Sequence, residues 1–334
     1  MLEVVGFCFG LALLVLIAFY AVERRRRPTG TPSPGLHPEM DLPHQQEWTL
    51  YQNGLSLCSK KMRVCLAELD LPYESHDVEL IETQAYENLR PEFLRINPGC
   101  TVPVLIHQGH PIYESHEQIV YAATQAGALG QRLLGETAEI QDAVARGVDF
   151  GALKGNPLAG GVDRAGDSIP GLTIPLFATM IRYIPWPRLG EGLFFHVDRR
   201  RPLLFMTLKL LGLNRLPPPL QKVIALAREN MANHLDLLED TLADGRPWLC
   251  GEPFTLADVG WMAIFERLEE ADWMDLYFGE GRRPAVARYI ERCQARPSYA
   301  AAAVPRGMIQ RKGLEDLRRL KADSPTLRKM LEGR

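Results

Sequence analysis

Nineteen consecutive uncharged residues, Val4 to Val22 (VVGFCFGLALLVLIAFYAV), stand near the head of this chain. At about 1.5 Å per helical residue such a run reaches about 28 Å, close to the hydrocarbon thickness of a bilayer. A cleaved secretory signal would need a basic segment in front, a shorter apolar stretch and a small-x-small cleavage site. Here Glu3 precedes the run, and Phe19, Tyr20 and Arg24 to Arg27 follow its core. The run therefore predicts an uncleaved transmembrane helix over residues 1–23. The arginines predict a single-pass topology with the N-terminus outside, the rest of the chain cytoplasmic, and membrane lipid as a partner.

Residues 24–47 are rich in Arg, Pro, Gly and polar side chains without an apolar period, which predicts a partly extended tether. A chain of 334 residues has room for two domains beyond it. Hydrophobic residues at 46% and charged residues at 24% exclude a collagen-like, mostly disordered or multi-span chain. With 38 basic against 41 acidic side chains, no overall charge draws the chain to nucleic acid, and none is expected as a partner. Six scattered cysteines without a Cys-x-x-Cys pair indicate neither a disulfide framework nor a zinc site, so no metal is expected.

Over residues 48–126 strands and helices alternate. WTLYQ is short, apolar and β-prone, and after the NGLSLCS loop Met62, Cys65, Leu66 and Leu69 recur on one helical face. YESHDVEL alternates as a second strand, and a helix follows through Ile96. PVLIH, a turn at Gly109 and PIY predict a hairpin, followed by a helix from about His116 to Ala126. This order of elements, βαβ, α, ββα, is that of a thioredoxin-like α/β domain.

Three motifs in this stretch carry chemistry. SLCSKKMR, Ser56 to Arg63, puts a hydroxyl and a thiol where a helix begins; unpaired N–H groups and the positive end of the helix dipole favour a thiolate there. Lys60 and Lys61 add positive potential. A lone loop cysteine is ordinarily an inert small hydrophobe, and for Cys58 both readings stay open; Cys65 lies on the apolar stripe and reads as core. Thr101-Val102-Pro103 leads into an apolar strand, and proline leaves a sheet edge unpaired for a ligand. Glu114-Ser115 precedes the next helix, with Ser115 a good N-cap.

Occurring in this order, the three motifs resemble the N-terminal domain of cytosolic glutathione S-transferases. SLCSKKMR is most similar to the matching segment of the zeta class and of tetrachlorohydroquinone dehalogenases. The resemblance implies glutathione as co-substrate, with Ser56 activating its thiol and Cys58 able to form a mixed disulfide with it. It implies that Val102, between Thr101 and a cis Pro103, pairs with the cysteinyl backbone like an added strand. It implies that Ser115 and Glu114 take the carboxylate and ammonium of the γ-glutamyl end. The family commonly has glycine where this chain has Cys100.

Residues 127–305 read as an all-helical second domain with an enlarged middle. Leu220, Val223, Ile224, Ala227, Met231, His234, Leu235 and Leu238 share one helical face, which makes His234 a core histidine. Thr255 and Asp258 form a capping-box pattern, similar to the folding signature of the transferase C-terminal domain; their role is structural. Two apolar stretches, 169–187 and 202–213, are interrupted by prolines or charge and read as packed helices ahead of a membrane-contacting insertion. Residues 306–334 form a basic tail, read as a solvated helical face. An enlarged middle beside a membrane segment also resembles, in part, the ganglioside-induced differentiation-associated family.

The function expected is that of a membrane-anchored enzyme activating the glutathione thiolate for conjugation, isomerisation or reductive dehalogenation of a small electrophile. The alternative is a non-catalytic binding or membrane-organising protein that keeps the fold. The resemblance further implies a homodimer.

Overall fold

The computed structural model describes residues 2–155, 160–304 and 306–333; the side chains of residues 2–6 and of Cys8 fall outside it. The first helix, α1 (Leu2–Arg26), covers the apolar run. Among the described residues, however, no helix is long and apolar enough to cross a membrane. This overturns the transmembrane anchor, and with it the single-pass topology, the outside N-terminus and the lipid partner. Of the four arginines expected to mark a membrane face, Arg24, Arg26 and Arg27 make contacts within the protein. Arg27 Nη1 meets Glu191 Oε1 at 2.7 Å and its guanidinium lies 4.3 Å from the Phe195 ring. Arg26 pairs with Glu23, and Arg24 donates to Thr29 Oγ1. Tyr20 packs on Phe194 and Phe195, with ring centroids 6.1 and 5.8 Å away.

The segment expected as a free tether is also attached. Its strand β1 (Gly35–Leu36) pairs antiparallel with β5 (His110–Tyr113), and the Leu42 and His37 amides donate to Gly109 O and Pro111 O. Behind it come β2 (Trp48–Gln52), α2 (Leu57–Glu68), β3 (Glu74–Asp77), α3 (Pro91–Ile96), β4 (Val104–His107), β5 and α4 (Ser115–Gln125). The sheet order is β1-β5-β4-β2-β3, with β2 parallel to β3 and the other pairs antiparallel. The thioredoxin-like layer expected from the alternation is therefore present. Met62, Cys65, Leu66 and Leu69, the predicted stripe of α2, are all buried.

The helical domain comprises α5 (Gly127–Leu134), α6 (Ala138–Phe150), α7 (Ala165–Met180), α8 (Trp186–Phe195), α9 (Arg200–Leu211), α10 (Pro218–Leu242), α11 (Leu256–Glu270), α12 (Met274–Phe278), α13 (Pro284–Gln294), α14 (Tyr299–Ala302), α15 (Met308–Asp323) and α16 (Pro325–Glu332). The apolar stretch from Ile169 lies largely in α7, which is buried nearly all round and packs on α10, α11 and α15. A helix apolar on every side belongs inside a core, which is where the sequence placed it. On α10, the predicted face from Val223 to Leu238 is buried, and His234 Nε2 is 2.8 Å from Gly161 O. Helices α6 and α11 approach so closely that a Cβ on Gly147 would lie 2.4 Å from the Ala257 Cβ.

At the start of α11 the capping box is formed. Asp258 Oδ2 accepts from the Thr255 amide at 2.8 Å, and Asp258 Oδ1 accepts from Tyr289 Oη at 2.7 Å and the Leu249 amide at 3.0 Å. The last 29 residues are not a solvated face throughout: α15 and α16 bury Leu314, Leu317, Leu327 and Leu331 against the helical body.

Between the domains α2 packs on α11, and charge is buried there. Lys60 Nζ, fully enclosed, donates to Glu270 Oε1 at 2.8 Å and Ala302 O at 3.1 Å. Arg267 Nε donates to Glu270 Oε2 at 2.9 Å, and Gln310 Nε2 to Glu270 Oε1 at 2.8 Å. Burial works against the Glu270 carboxylate, but Arg267 and Lys60 outweigh it and hold the carboxyl below its ordinary range. Removing Glu270 leaves two uncompensated buried cations, Lys60 and Arg267. Glu270→Met should therefore lower unfolding free energy by about 3–5 kcal/mol. Glu270→Met combined with Lys60→Met, which strands only Arg267, should recover part of that loss. Denaturant midpoints of the three chains check this, and a double variant less stable than Glu270→Met would contradict it.

Two buried histidines bear on acid stability. Burial first, then nearby cations, lowers His116 in α4 and His196 after α8 to about 4. Their unfolded values are near 6.5, so the unfolded chain binds protons first as pH falls. Stability should be full above pH 6.5 and decline toward pH 4, by about 3 kcal/mol per histidine at the low end. Unfolding midpoints measured at pH 7.0 and 4.5 should diverge, and His116→Asn with His196→Asn should narrow the gap.

Candidate functional site

The loop between β2 and α2 is shaped before any ligand arrives. Asn53 Oδ1 accepts from the Leu55 amide at 2.9 Å while its Nδ2 donates to Val78 O at 2.9 Å. From the other domain, Arg267 Nη2 donates to Leu55 O. Ser56 then takes the N-cap of α2 with extended dihedrals (φ −63°, ψ 123°). Its Oγ accepts from the Ser59 amide and donates to Val102 O, both at 3.3 Å. Hydroxyl rotors exchange partners readily, so this group can turn toward a sulfur placed beside it.

Cys58 lies in the first turn of α2, half-buried and without a disulfide. The two lysines behind it do different things. Lys60 faces the domain interface and pairs with Glu270. Lys61 is buried and donates to Gly151 O at 3.0 Å; burial pushes its ammonium down, while Cys58 is foremost among the groups that favour its charge. Arg63 serves structure, donating to Ala301 O at 2.7 Å and to the Gln52 side chain.

Across the cleft, the Val102–Pro103 peptide is cis. Buried Gln118 of α4 fixes this turn by donating to Pro103 O at 3.0 Å and Ile112 O at 2.8 Å. Thr101 O and Oγ1 accept from Asn97 Nδ2 at 2.8 and 3.0 Å. Cys100 has φ 58°, the left-handed region that favours glycine, which is the residue the resemblance led one to expect there. Its thiol is buried and pushed up to about 11, chiefly by desolvation.

The α4 N-terminus differs from the sequence reading in one respect. Glu114, at φ 68° and ψ 119°, is the N-cap and makes no side-chain capping bond, and Ser115 is the first helical residue. Left-handed backbone at a non-glycine residue stores strain and turns the Glu114 carboxylate and the Ser115 hydroxyl toward the cleft. Desolvation raises the Glu114 carboxyl, against the pull of Lys154 and Lys61.

Ser56, Cys58, Thr101, Val102, Pro103, Glu114 and Ser115 all line one cleft of about 700 Å³. Its opposite wall comes from the helical domain: Ile169, Ile174 and Phe177 of α7, Phe205 of α9 and Leu220 of α10. His196, Glu82 and Arg201 add a polar end. Sequence reasoning missed Arg267, Gln118 and Asn53, which no motif marks, and the whole wall from α7 and α9. Among the described residues no group of His, Cys, Asp and Glu side chains is placed to hold a metal ion.

Known proteins align with this geometry. Residues 55–125 match the family model "Glutathione S-transferase, N-terminal domain" and residues 221–292 the model "Glutathione S-transferase, C-terminal domain". Ganglioside-induced differentiation-associated protein 1-like 1 of Homo sapiens is 27% identical over 76% of this chain and 73% of its own length. The tetrachloro-p-hydroquinone reductive dehalogenase of Sphingobium chlorophenolicum is 24% identical over 77% of this chain and 96% of its own. Among solved structures, a β-etherase from Sphingobium sp. strain SYK-6 superposes with a TM-score of 0.63 at 19% identity, covering 77% of this chain and 99% of that one. A theta-class glutathione S-transferase from Xanthomonas axonopodis pv. citri, solved with glutathione bound, covers 78% of this chain and 99% of its own at a TM-score of 0.51 and 18% identity. The chain thus carries, in order and around one cleft, segments that match both the N-terminal and the C-terminal domain models of the glutathione S-transferases.

Proposed function

We propose that the cleft binds glutathione and a small electrophile, and that the chain uses the glutathione thiolate as a nucleophile. The observation that carries this reading is the meeting of the seven motif residues in one cleft whose other wall is apolar. The α4 N-terminus and the Ser115 hydroxyl suit the γ-glutamyl carboxylate, and the Glu114 carboxylate suits the ammonium beside it. The backbone of Val102 pairs with the cysteinyl unit, which brings the sulfur to the first turn of α2. There the Ser56 hydroxyl donates a hydrogen bond that favours thiolate over thiol. The thiolate attacks the electrophile held against α7 and α9, forming a C–S bond as the leaving group departs with its electron pair.

Cys58 opens a second course. When the product is a glutathionyl adduct of an aromatic ring, the Cys58 thiolate attacks its sulfur, an S–S bond forms, and the C–S electrons remain on carbon, which takes up a proton. A second glutathione thiolate then exchanges with the mixed disulfide and frees Cys58. Similarity to a reductive dehalogenase supports this course alongside conjugation.

Calorimetric titration of the full chain with glutathione, then turnover with 1-chloro-2,4-dinitrobenzene, tests the reading. Ser56→Ala should lower conjugation about 100-fold with little change in glutathione affinity. Cys58→Ala should leave conjugation intact and abolish glutathione-dependent reduction of a halogenated hydroquinone. Neither binding nor turnover in the unaltered chain would sink the enzyme reading and leave a non-catalytic transferase fold.

A further inference from the structure

The Ser56 hydroxyl is held only loosely by its own hydrogen bonds. Its contacts with the Ser59 amide and with Val102 O are both 3.3 Å long, beyond the usual range for either kind of bond, so the backbone decides where the hydroxyl stands. That backbone hangs on the planar peptide between Leu55 and Ser56, which is gripped at both edges. The Ser56 amide donates to Asn53 O at 3.1 Å, within the N-terminal domain. At the other edge, the Leu55 carbonyl accepts from Arg267 Nη2 of α11, in the helical domain.

Arg267 is itself aimed. Its Nε donates to Glu270 Oε2 at 2.9 Å and its Nη1 to Thr173 Oγ1 at 3.3 Å. Thr173 gives its own proton to Ile169 O at 2.7 Å, so its oxygen faces the guanidinium as an acceptor. Arg267 and Thr173 are both buried, and both line the cleft. All three guanidinium nitrogens thus have an acceptor, and the planar fork presents Nη2 to Leu55 in one orientation. Balancing the Glu270 carboxylate needs only a cation, whereas reaching Leu55 and Thr173 together needs the fork.

We infer that Arg267 is a positioning residue for the thiolate chemistry: by holding the Leu55–Ser56 peptide from the helical domain, it sets the Ser56 hydroxyl at hydrogen-bonding distance from the glutathione sulfur. Arg267 has this role only if Ser56 serves the sulfur as proposed above. A misplacement of about 1 Å at a reacting group can cost about 100-fold in rate, so a loosened peptide is felt in turnover before it is felt in binding.

Arg267→Lys keeps a cation beside Glu270 but loses the fork. With glutathione and 1-chloro-2,4-dinitrobenzene its kcat should fall about tenfold, while the KM for glutathione stays within about twofold. A weaker hydrogen bond to the sulfur favours thiol over thiolate, so the rising limb of kcat against pH should move to higher pH, as it does in Ser56→Ala. In the Ser56→Ala background, adding Arg267→Lys should lower kcat by less than about twofold, because the hydroxyl it positions is gone. Should Arg267→Lys not fold, Thr173→Val, which leaves every charge in place, decides: kcat should fall about threefold alone and stay nearly unchanged beside Ser56→Ala. An Arg267→Lys kcat equal to that of the unaltered chain overturns the proposal. So does a loss that multiplies with that of Ser56→Ala, or one that leaves the pH profile where it was, since either marks a merely structural role. Ser56→Ala without any loss sinks the reading of Ser56 and this inference with it; a Ser56→Ala loss that Arg267→Lys merely multiplies sinks this inference alone.

Discussion

The thiol site depends on a charge cluster buried between the two domains. Glu270 of α11 holds Lys60 from α2 and Arg267 from its own helix, and the same Arg267 reaches the Leu55 carbonyl in the loop that presents Ser56. Bare ionic groups at this depth would be disfavoured by several kcal/mol each, so each cation must keep its carboxylate. That requirement fixes the angle of α2 against α11. With α2 fixed, Ser56, Cys58 and the Ser59 amide have fixed positions relative to the cis turn at Val102. The N-terminal domain carries the motif residues, yet the helical domain sets where they stand.

The parts of this arrangement that were legible in the sequence are those with local causes. WTLYQ, the Gly109 hairpin and the stripe through Met62 and Leu69 follow from side-chain period alone and recur in the structure with bounds shifted by a residue or so. Thr255 and Asp258 satisfy each other across three residues, so their role could be read without any tertiary context. Arg267 and Gln118 were illegible for the opposite reason: their partners, Leu55 and Pro103, are distant in the chain, and neither sits in a recognisable spacing.

The misreadings have a common origin in neighbours that composition cannot supply. An apolar run flanked by arginine looks alike whether the arginines meet lipid headgroups or, as with Arg27, a carboxylate on α8. A Pro-rich segment looks like a free linker until Gly35 and Leu36 find the open side of β5. Basic helices at the C-terminus look solvated because charge dominates their composition, although leucines on one face are enough to dock them. At Ser115 the error is smaller in scale. The preference for serine at a cap is real, but the positive φ of Glu114 moves the helix start by one residue.

Strand β1 has an effect beyond holding the N-terminal segment in place. An uncovered strand at the rim of a sheet exposes a row of amides and carbonyls to any passing extended chain, and such rims are where sheets recruit one another. Two residues of β1 and the amides of His37 and Leu42 occupy that rim along β5. At the far side, β3 (Glu74–Asp77) carries carboxylates at both ends, a charge pattern that discourages templating. The order of strands thus leaves this sheet with one rim shielded and the other electrostatically guarded, which protects the folded chain against edge-to-edge aggregation.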